Sequence, residues 1–267
     1  MKLFHRLVID KDYRDQFLGI GIDLLHIGNP DKNWMPFVVL TLAETDDRWL
    51  PVSSLIERLD VGHTVETEFA RTELHGATCL HFCSKSTTGY PEPSSDGGYL
   101  AITYDLSDYC DQCGTGKTQK QPFRMKSEVK WGRRQTTQLN WVEEELFVRP
   151  DIWESVFKPM GIDFRPVQSV GGRELDSVVQ LKVEEEVDLN IPSTHVAEVC
   201  SKCGRVKFQH NFNGYWPSAV SSPVAIAKSV QYFGWGHAAH RALLISHDMF
   251  ERMDANKLNC QYWACSN

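Results

Sequence analysis

Apolar residues along this chain fall into short runs separated by polar breaks, a pattern of strands rather than of long amphipathic helices. Phe37-Val38-Val39-Leu40-Thr41-Leu42 predicts a buried strand, and Pro51-Val52-Ser53-Ser54-Leu55-Ile56-Glu57-Arg58-Leu59 a short helix beyond it. The stretch 99–106 alternates like a strand, and Leu146-Phe147-Val148, Val178-Val179-Gln180-Leu181-Lys182-Val183, the segment after Pro192 and Leu243-Leu244-Ile245 add further strands. Between residues 84 and 98 the chain turns polar and rich in Ser, Thr, Gly and Pro, which predicts a linker and a domain boundary. The expected class is α+β, mostly strands with few short helices. A separate N-terminal α/β region occupies 1–90, and a larger domain occupies 99–267. The apolar stretch 17–27 is interrupted by Asp23 and is too short to span a bilayer.

Cys110-Asp-Gln-Cys113-Gly114 and Cys200-Ser-Lys-Cys203-Gly204 are two copies of one motif. Two residues between the cysteines let both sulfurs face one point, and the following Gly takes the tight backbone turn. Two such knuckles supply the four thiolates of a closed tetrahedral zinc site formed by Cys110, Cys113, Cys200 and Cys203. A redox-active pair and two unrelated reduced pairs are the alternatives, and the spacing leaves open one shared zinc or separate metals. A four-sulfur site has no open position for substrate, so it points to scaffold rather than to zinc catalysis.

The knuckles also mark a repeat. Leu146-Phe147-Val148-Arg149-Pro150-Asp151-Ile152-Trp153-Glu154 follows the first, and Leu243-Leu244-Ile245-Ser246-His247-Asp248-Met249-Phe250-Glu251 follows the second. Both read as an apolar triplet, two spacers, Asp, an apolar residue, an aromatic and Glu. Each predicts a strand leading into a short helix whose first turn carries an acid, as the helix dipole prefers. The larger domain is thus expected to contain two related halves, over about 99–170 and 178–267.

Composition is that of an ordinary globular protein, with 42% hydrophobic and 24% charged residues. The N-terminus lacks the apolar core and cleavage site of a signal peptide, and reduced cysteines suit a zinc protein of the cytoplasm. The formal charge of −7 is uneven, with 9 Lys+Arg against 15 Asp+Glu in residues 1–99. An acidic protein is a poor general nucleic-acid binder, yet seven basic residues lie between Lys117 and Arg134, opposed only by Glu128. Glu143-Glu144-Glu145 and Glu184-Glu185-Glu186 read first as solvated faces, and also as candidate contacts for a basic partner.

Other constellations are weaker. Gly114-Thr115-Gly116-Lys117-Thr118 looks like the end of a phosphate-binding loop, but Asp111 stands where that motif needs Gly. His237 and His240 lie a helical turn apart, without the Glu of a metalloprotease. Cys79 and Cys83, near His75 and His81, with Cys260 and Cys265 at the far end, offer material for a second metal, or simply small buried thiols. Trp131, Trp141 and Trp153 read as core or interface anchors.

With two Cys-x-x-Cys-Gly motifs at this spacing, residues from about 99 to 260 resemble the bacterial double-CxxCG-motif proteins, grouped with immunity proteins of polymorphic toxin systems. Asp105-Leu106 ahead of Cys110, the run Gly161-Ile162-Asp163-Phe164-Arg165-Pro166-Val167 and Leu244-Ile245-Ser246 support the likeness. The first ninety-odd residues, and Cys260 and Cys265, fall outside that pattern. The resemblance implies a non-enzymatic, zinc-stabilised protein that neutralises a cognate toxin by direct binding. The alternative expectation is a zinc-ribbon protein that meets nucleic acid through the 117–134 stripe.

Overall fold

The structure, a computed structural model, describes residues 1–24, 37–210 and 212–266. The described residues form two compact units, one of residues 1–73 with 212–214, the other of 74–210 with 215–266. As the patterning predicts, it is α+β, mostly strands with few short helices. The apolar stretch 17–27 is described only as far as Leu24; the rest of it lies outside the described residues.

The first unit is an antiparallel three-stranded sheet in the order β2 (Phe37–Ala43), β1 (Lys2–Asp10), β3 (His63–Glu68), with a helix, Trp49–Leu59, against it. Leu7 and Ile9 of β1 and Val38, Leu40 and Leu42 of β2 point to one face, where Val52, Leu55 and Ile56 of the helix meet them. Phe37, Val39 and Thr41, the alternate positions of β2, are exposed. The apolar run at 37–42 is therefore a half-buried strand and not a fully buried one. An antiparallel sheet with one covered face needs apolar residues at alternate positions only.

The expected boundary at 84–98 is displaced. The first unit ends at residue 73, and β4 (Cys79–Ser84) is an internal strand of the second unit. Its composition does not show this. Its side chains are buried except for the half-buried Cys83, and strands pair with both of its edges.

The second unit holds two larger sheets. In the first, β8 (Thr136–Leu139), β9 (Val142–Val148), β11 (Glu174–Lys182) and β10 (Asp163–Ser169) lie side by side. In the second, β15 (Ile226–Phe233), β16 (His240–Ser246), β4 and β17 (Cys260–Ala264) take the same places. The registers coincide. Val179 of β11 faces Val148 on one side and Pro166 on the other, as Leu80 of β4 faces Ile245 and Ala264. Gln180 faces Phe147 and Arg165, as His81 faces Leu244 and Trp263.

This correspondence redraws the two halves. Each begins with the strand ahead of its knuckle, β4 or β11, and continues through knuckle, hairpin, helix and closing strand. Each leading strand is inserted into the other half's sheet, a reciprocal strand exchange. The expected halves at 99–170 and 178–267 left β4 out. Local patterning identifies a strand but says nothing of which sheet receives it.

Two further expectations change in detail. Residues 99–106 open with a helix, Tyr99–Thr103, and only Tyr104–Asp105 is strand. Tyr99 and Thr103, four apart, are both buried, which is helical and not strand spacing. The repeated helices do start where predicted, over 150–160 and at His247–Ala255. The second is capped by Ser246, whose Oγ accepts from Met249 N at 3.3 Å, with Asp248 in the first turn.

Candidate metal centre

The two knuckles meet. Cys110 Sγ lies 3.7 Å from Cys200 Sγ and Cys113 Sγ lies 3.6 Å from Cys203 Sγ. All four sulfurs fall within 4.8 Å of one another. A tetrahedral zinc with bonds of about 2.3 Å sets its sulfurs about 3.8 Å apart, so this spacing fits a single shared ion. Cys110, Cys113 and Cys200 are buried and Cys203 is exposed.

Each knuckle is built by the same backbone bonds. Cys110 N donates to Thr115 O at 2.9 Å and Gly114 N to Cys110 O at 2.7 Å; Cys200 N donates to Arg205 O at 2.9 Å and Gly204 N to Cys200 O at 2.8 Å. Gly114 and Gly204 sit at φ +79° and +73°, in the left-handed region that a side chain disfavours. The variable residues between the cysteines pair reciprocally across the centre. Gln112 Nε2 donates to Ser201 Oγ at 2.9 Å, and Lys202 Nζ to Asp111 Oδ1 at 2.6 Å. The centre therefore has an approximate twofold axis that exchanges the two halves.

The thiols are electrostatically unequal. Burial pushes Cys113 up, but hydrogen bonds from Thr115, whose hydroxyl lies 3.1 Å from the sulfur, together with those from Cys110 and Cys203, outweigh it and bring the group down to about 6. A thiol that ionises this readily is prepared for a cation. Arg205 N pulls Cys203 down, but burial and the neighbouring sulfurs prevail and carry it up to about 11.

The phosphate-loop lookalike is absorbed into this packing. A Cβ on Gly114 would fall 2.0 Å from His237 O, and one on Gly116 2.1 Å from Asp108 O. Lys117 Nζ donates to Ala239 O at 2.9 Å instead of facing a phosphate.

The glutamates divide sharply. Glu144 and Glu145 are buried, which corrects their reading as a solvated face. Glu145 Oε1 accepts from Lys228 Nζ at 2.5 Å and Glu145 Oε2 from Gln180 Nε2 at 2.8 Å. Burial raises Glu144, but Lys117, Lys228 and Arg241 together hold it below the usual carboxylate range. Glu143 alone of its triplet faces outward, its side chain 62% exposed. Glu184 and Glu186 are exposed but paired, the first with Lys182 and Arg165, the second with Arg241. Glu185 accepts from Val224 N at 3.0 Å.

The remaining cysteines and histidines are not assembled with these ligands, and among the described residues the four-cysteine cluster is the one group placed to hold a metal. Cys79 and Cys265 are adjacent through a backbone bond of 3.0 Å from Cys265 N to Cys79 O. His81, His210 and His240 instead form an aromatic cluster with Trp216, Trp263 and Phe233. Within it, His240 Nε2 lies 3.0 Å from His210 Nδ1, and His240 Nδ1 lies 3.1 Å from Glu143 Oε2.

No family model, curated protein or solved structure matches this chain. The centre is thus read from its own residues. Sequence reasoning missed Lys207 and read Lys117 only as part of a phosphate-loop lookalike and a basic stripe, although the signal was present: each knuckle reads Cys-x-x-Cys-Gly-x-x-Lys. Lys207 is 2% exposed, and its Nζ donates to Gly236 O at 2.5 Å and to Cys113 O at 3.2 Å.

Proposed function

We propose that this chain is a zinc-stabilised, non-enzymatic binding protein, and that it acts as an immunity protein neutralising a cognate toxin by covering its active surface. The observation that carries the first part is the closed set of four sulfurs, with neighbours 3.6 and 3.7 Å apart. Soft thiolates in a tetrahedral arrangement select zinc over hard cations, and four protein ligands leave no coordination position for substrate. Zinc here would join two halves that each supply two ligands, so its binding energy becomes folding energy. Thiolates of this kind persist in a reducing compartment, in keeping with the cytoplasm.

The toxin-directed part rests on the resemblance of residues 99–260 and on the net charge of −7, which complements a basic partner such as a nuclease. The nucleic-acid alternative has less support. Of the seven basic residues between 117 and 134, Lys117 is engaged by Ala239 O and Arg134 by Lys130 O and Trp131 O. Lys120, Lys126, Lys130 and Arg133 remain exposed.

Two measurements test the proposal. Elemental analysis of protein purified without chelator is expected to give one zinc per chain, and well under one would remove the metal. Gentle purification from the native host, followed by mass spectrometry, is expected to reveal one stoichiometric protein with a toxin-like domain. Co-purifying nucleic acid would favour the zinc-ribbon alternative.

A further inference from the structure

A pocket of about 400 Å³ opens beside the first knuckle, between the tip of the β8–β9 hairpin and the longer tip of the β15–β16 hairpin. Tyr99, Leu100, Tyr109 and Trp141 supply its apolar wall; Glu143 and His240 bring polar groups to it. Its far side, 237–239, is fixed: Lys117 holds the Ala239 carbonyl and Lys207 the Gly236 carbonyl, while His237 O rests on Gly114. The cavity is therefore preorganised by the same packing that builds the metal centre.

Trp141 is the unusual element. It occupies the second position of a two-residue hairpin loop, since Leu139 pairs directly with Val142. Its φ of +68° lies where Gly is usual, and Trp remains 55% exposed there. A bulky side chain held in that region carries a conformational cost, a pattern concentrated at functional sites. The indole packs on Tyr90, 4.4 Å between ring centroids, and also lines the pocket, where Tyr99 lies 6.3 Å away at an interplanar angle of 23°.

The charge in the pocket decides the ligand class. Lys117 is not free to bind an anion, being tied to Ala239 O and 3.9 Å from Glu144. His240 has both ring nitrogens engaged, one by Glu143 and one by His210, so it offers neither a metal lone pair nor a general base. Burial holds His240 down to about 4, so at neutral pH it is uncharged and leaves the charge of Glu143 in place. Glu143 has His240 as its one ion-pair partner among the described residues. With the Lys117 charge met by Glu144 and His240 neutral, the Glu143 carboxylate beside Tyr and Trp faces attracts a cation, and a planar one stacks on the rings as well.

We propose that this pocket binds a planar cation, the guanidinium of an arginine side chain presented by a protein partner. The identity of the presenting group as a protein rests on the binding-protein reading above; the preference for a planar cation does not.

The test titrates the full-length, metal-loaded protein with benzamidine and with its neutral isostere benzamide, following indole fluorescence. Benzamidine is expected to bind saturably. Glu143→Gln is expected to weaken it by roughly tenfold, and Trp141→Ala to remove most of the signal change, with the melting temperature of Glu143→Gln unchanged. Benzamide is expected to bind weakly and to be indifferent to Glu143→Gln. Equal binding of the two compounds, or benzamidine binding untouched by Glu143→Gln, would overturn the proposal. Capture of the partner by both wild type and Glu143→Gln, with no benzamidine binding, would sink this pocket and leave the binding-protein reading standing. Benzamidine binding without any protein partner would do the reverse, leaving a small-cation site.

Discussion

Lys117 and Lys207 occupy the same place after the first and second knuckles, yet both serve one loop: Lys117 Nζ donates to Ala239 O at 2.9 Å and Lys207 Nζ to Gly236 O at 2.5 Å. The twofold repeat is thus broken in use, because the loop exists only in the second half. Lys207 satisfies more carbonyls and is the more deeply buried, so Lys207→Met is expected to cost about 2–4 kcal/mol and Lys117→Met about half as much. Chemical denaturation of the two variants checks the order. Equal costs would mean the carbonyls find other donors.

The two knuckle glycines should differ in tolerance. Both have positive φ, but a Cβ on Gly204 meets nothing within 4 Å, whereas one on Gly114 collides with His237 O at 2.0 Å. Gly204→Ala is expected to cost about 1 kcal/mol, the backbone strain alone. Gly114→Ala must also displace the 237–239 segment and should destabilise markedly more, as thermal unfolding would show.

Lys228 and Glu145 form a buried ion pair at 2.5 Å that links the two large sheets. Removing one partner leaves a buried charge, so Lys228→Met or Glu145→Leu alone should cost about 3–5 kcal/mol. The double variant should recover most of that loss. A double-mutant cycle with additive losses would contradict the pairing.

Acid should destabilise the fold before carboxylates protonate. Burial holds His210 and His240 down to about 4 and His81 well below its ordinary value. Unfolded histidines titrate near 6.5, so between pH 6.5 and 4 the unfolded state binds more protons. The contribution of these neutral histidines is therefore complete above about pH 6.5 and declines as pH falls toward 4. Melting temperatures measured across that range with zinc in excess should fall steadily, and His210→Gln should flatten the slope.

The exchanged strands make the halves inseparable. A fragment of 174–267 lacks β4, the strand between β16 and β17, and should give the circular dichroism of an unfolded chain. A fragment of 74–267 retains β4 and β11 and should unfold cooperatively. A folded 174–267 fragment would show that β4 is dispensable to its sheet.

Much of this molecule was legible in advance. The Cys-x-x-Cys-Gly pairs named all four thiols of the candidate centre, because the requirement for two sulfurs facing one point is local. The repeated strand-to-helix segments were legible for the same reason: the acid in the first turn and the apolar triplet are read within one element. The glutamate clusters were not. Glu143, Glu144 and Glu145 are consecutive on β9, yet only the first is outward, since β9 is buried on both faces beyond it.

The sequence by itself determined the turns that hold the thiols, the presence of a strand at 37–42, and the duplication, all consequences of short-range geometry. Only the tertiary structure decided that β4 and β11 change places, that Lys117 and Lys207 converge on one loop, and that Trp141 and Glu143 share a pocket. Those relationships join residues far apart in the chain. They are fixed by which buried edges and unsatisfied carbonyls remain once the sheets have formed, and no local pattern records that.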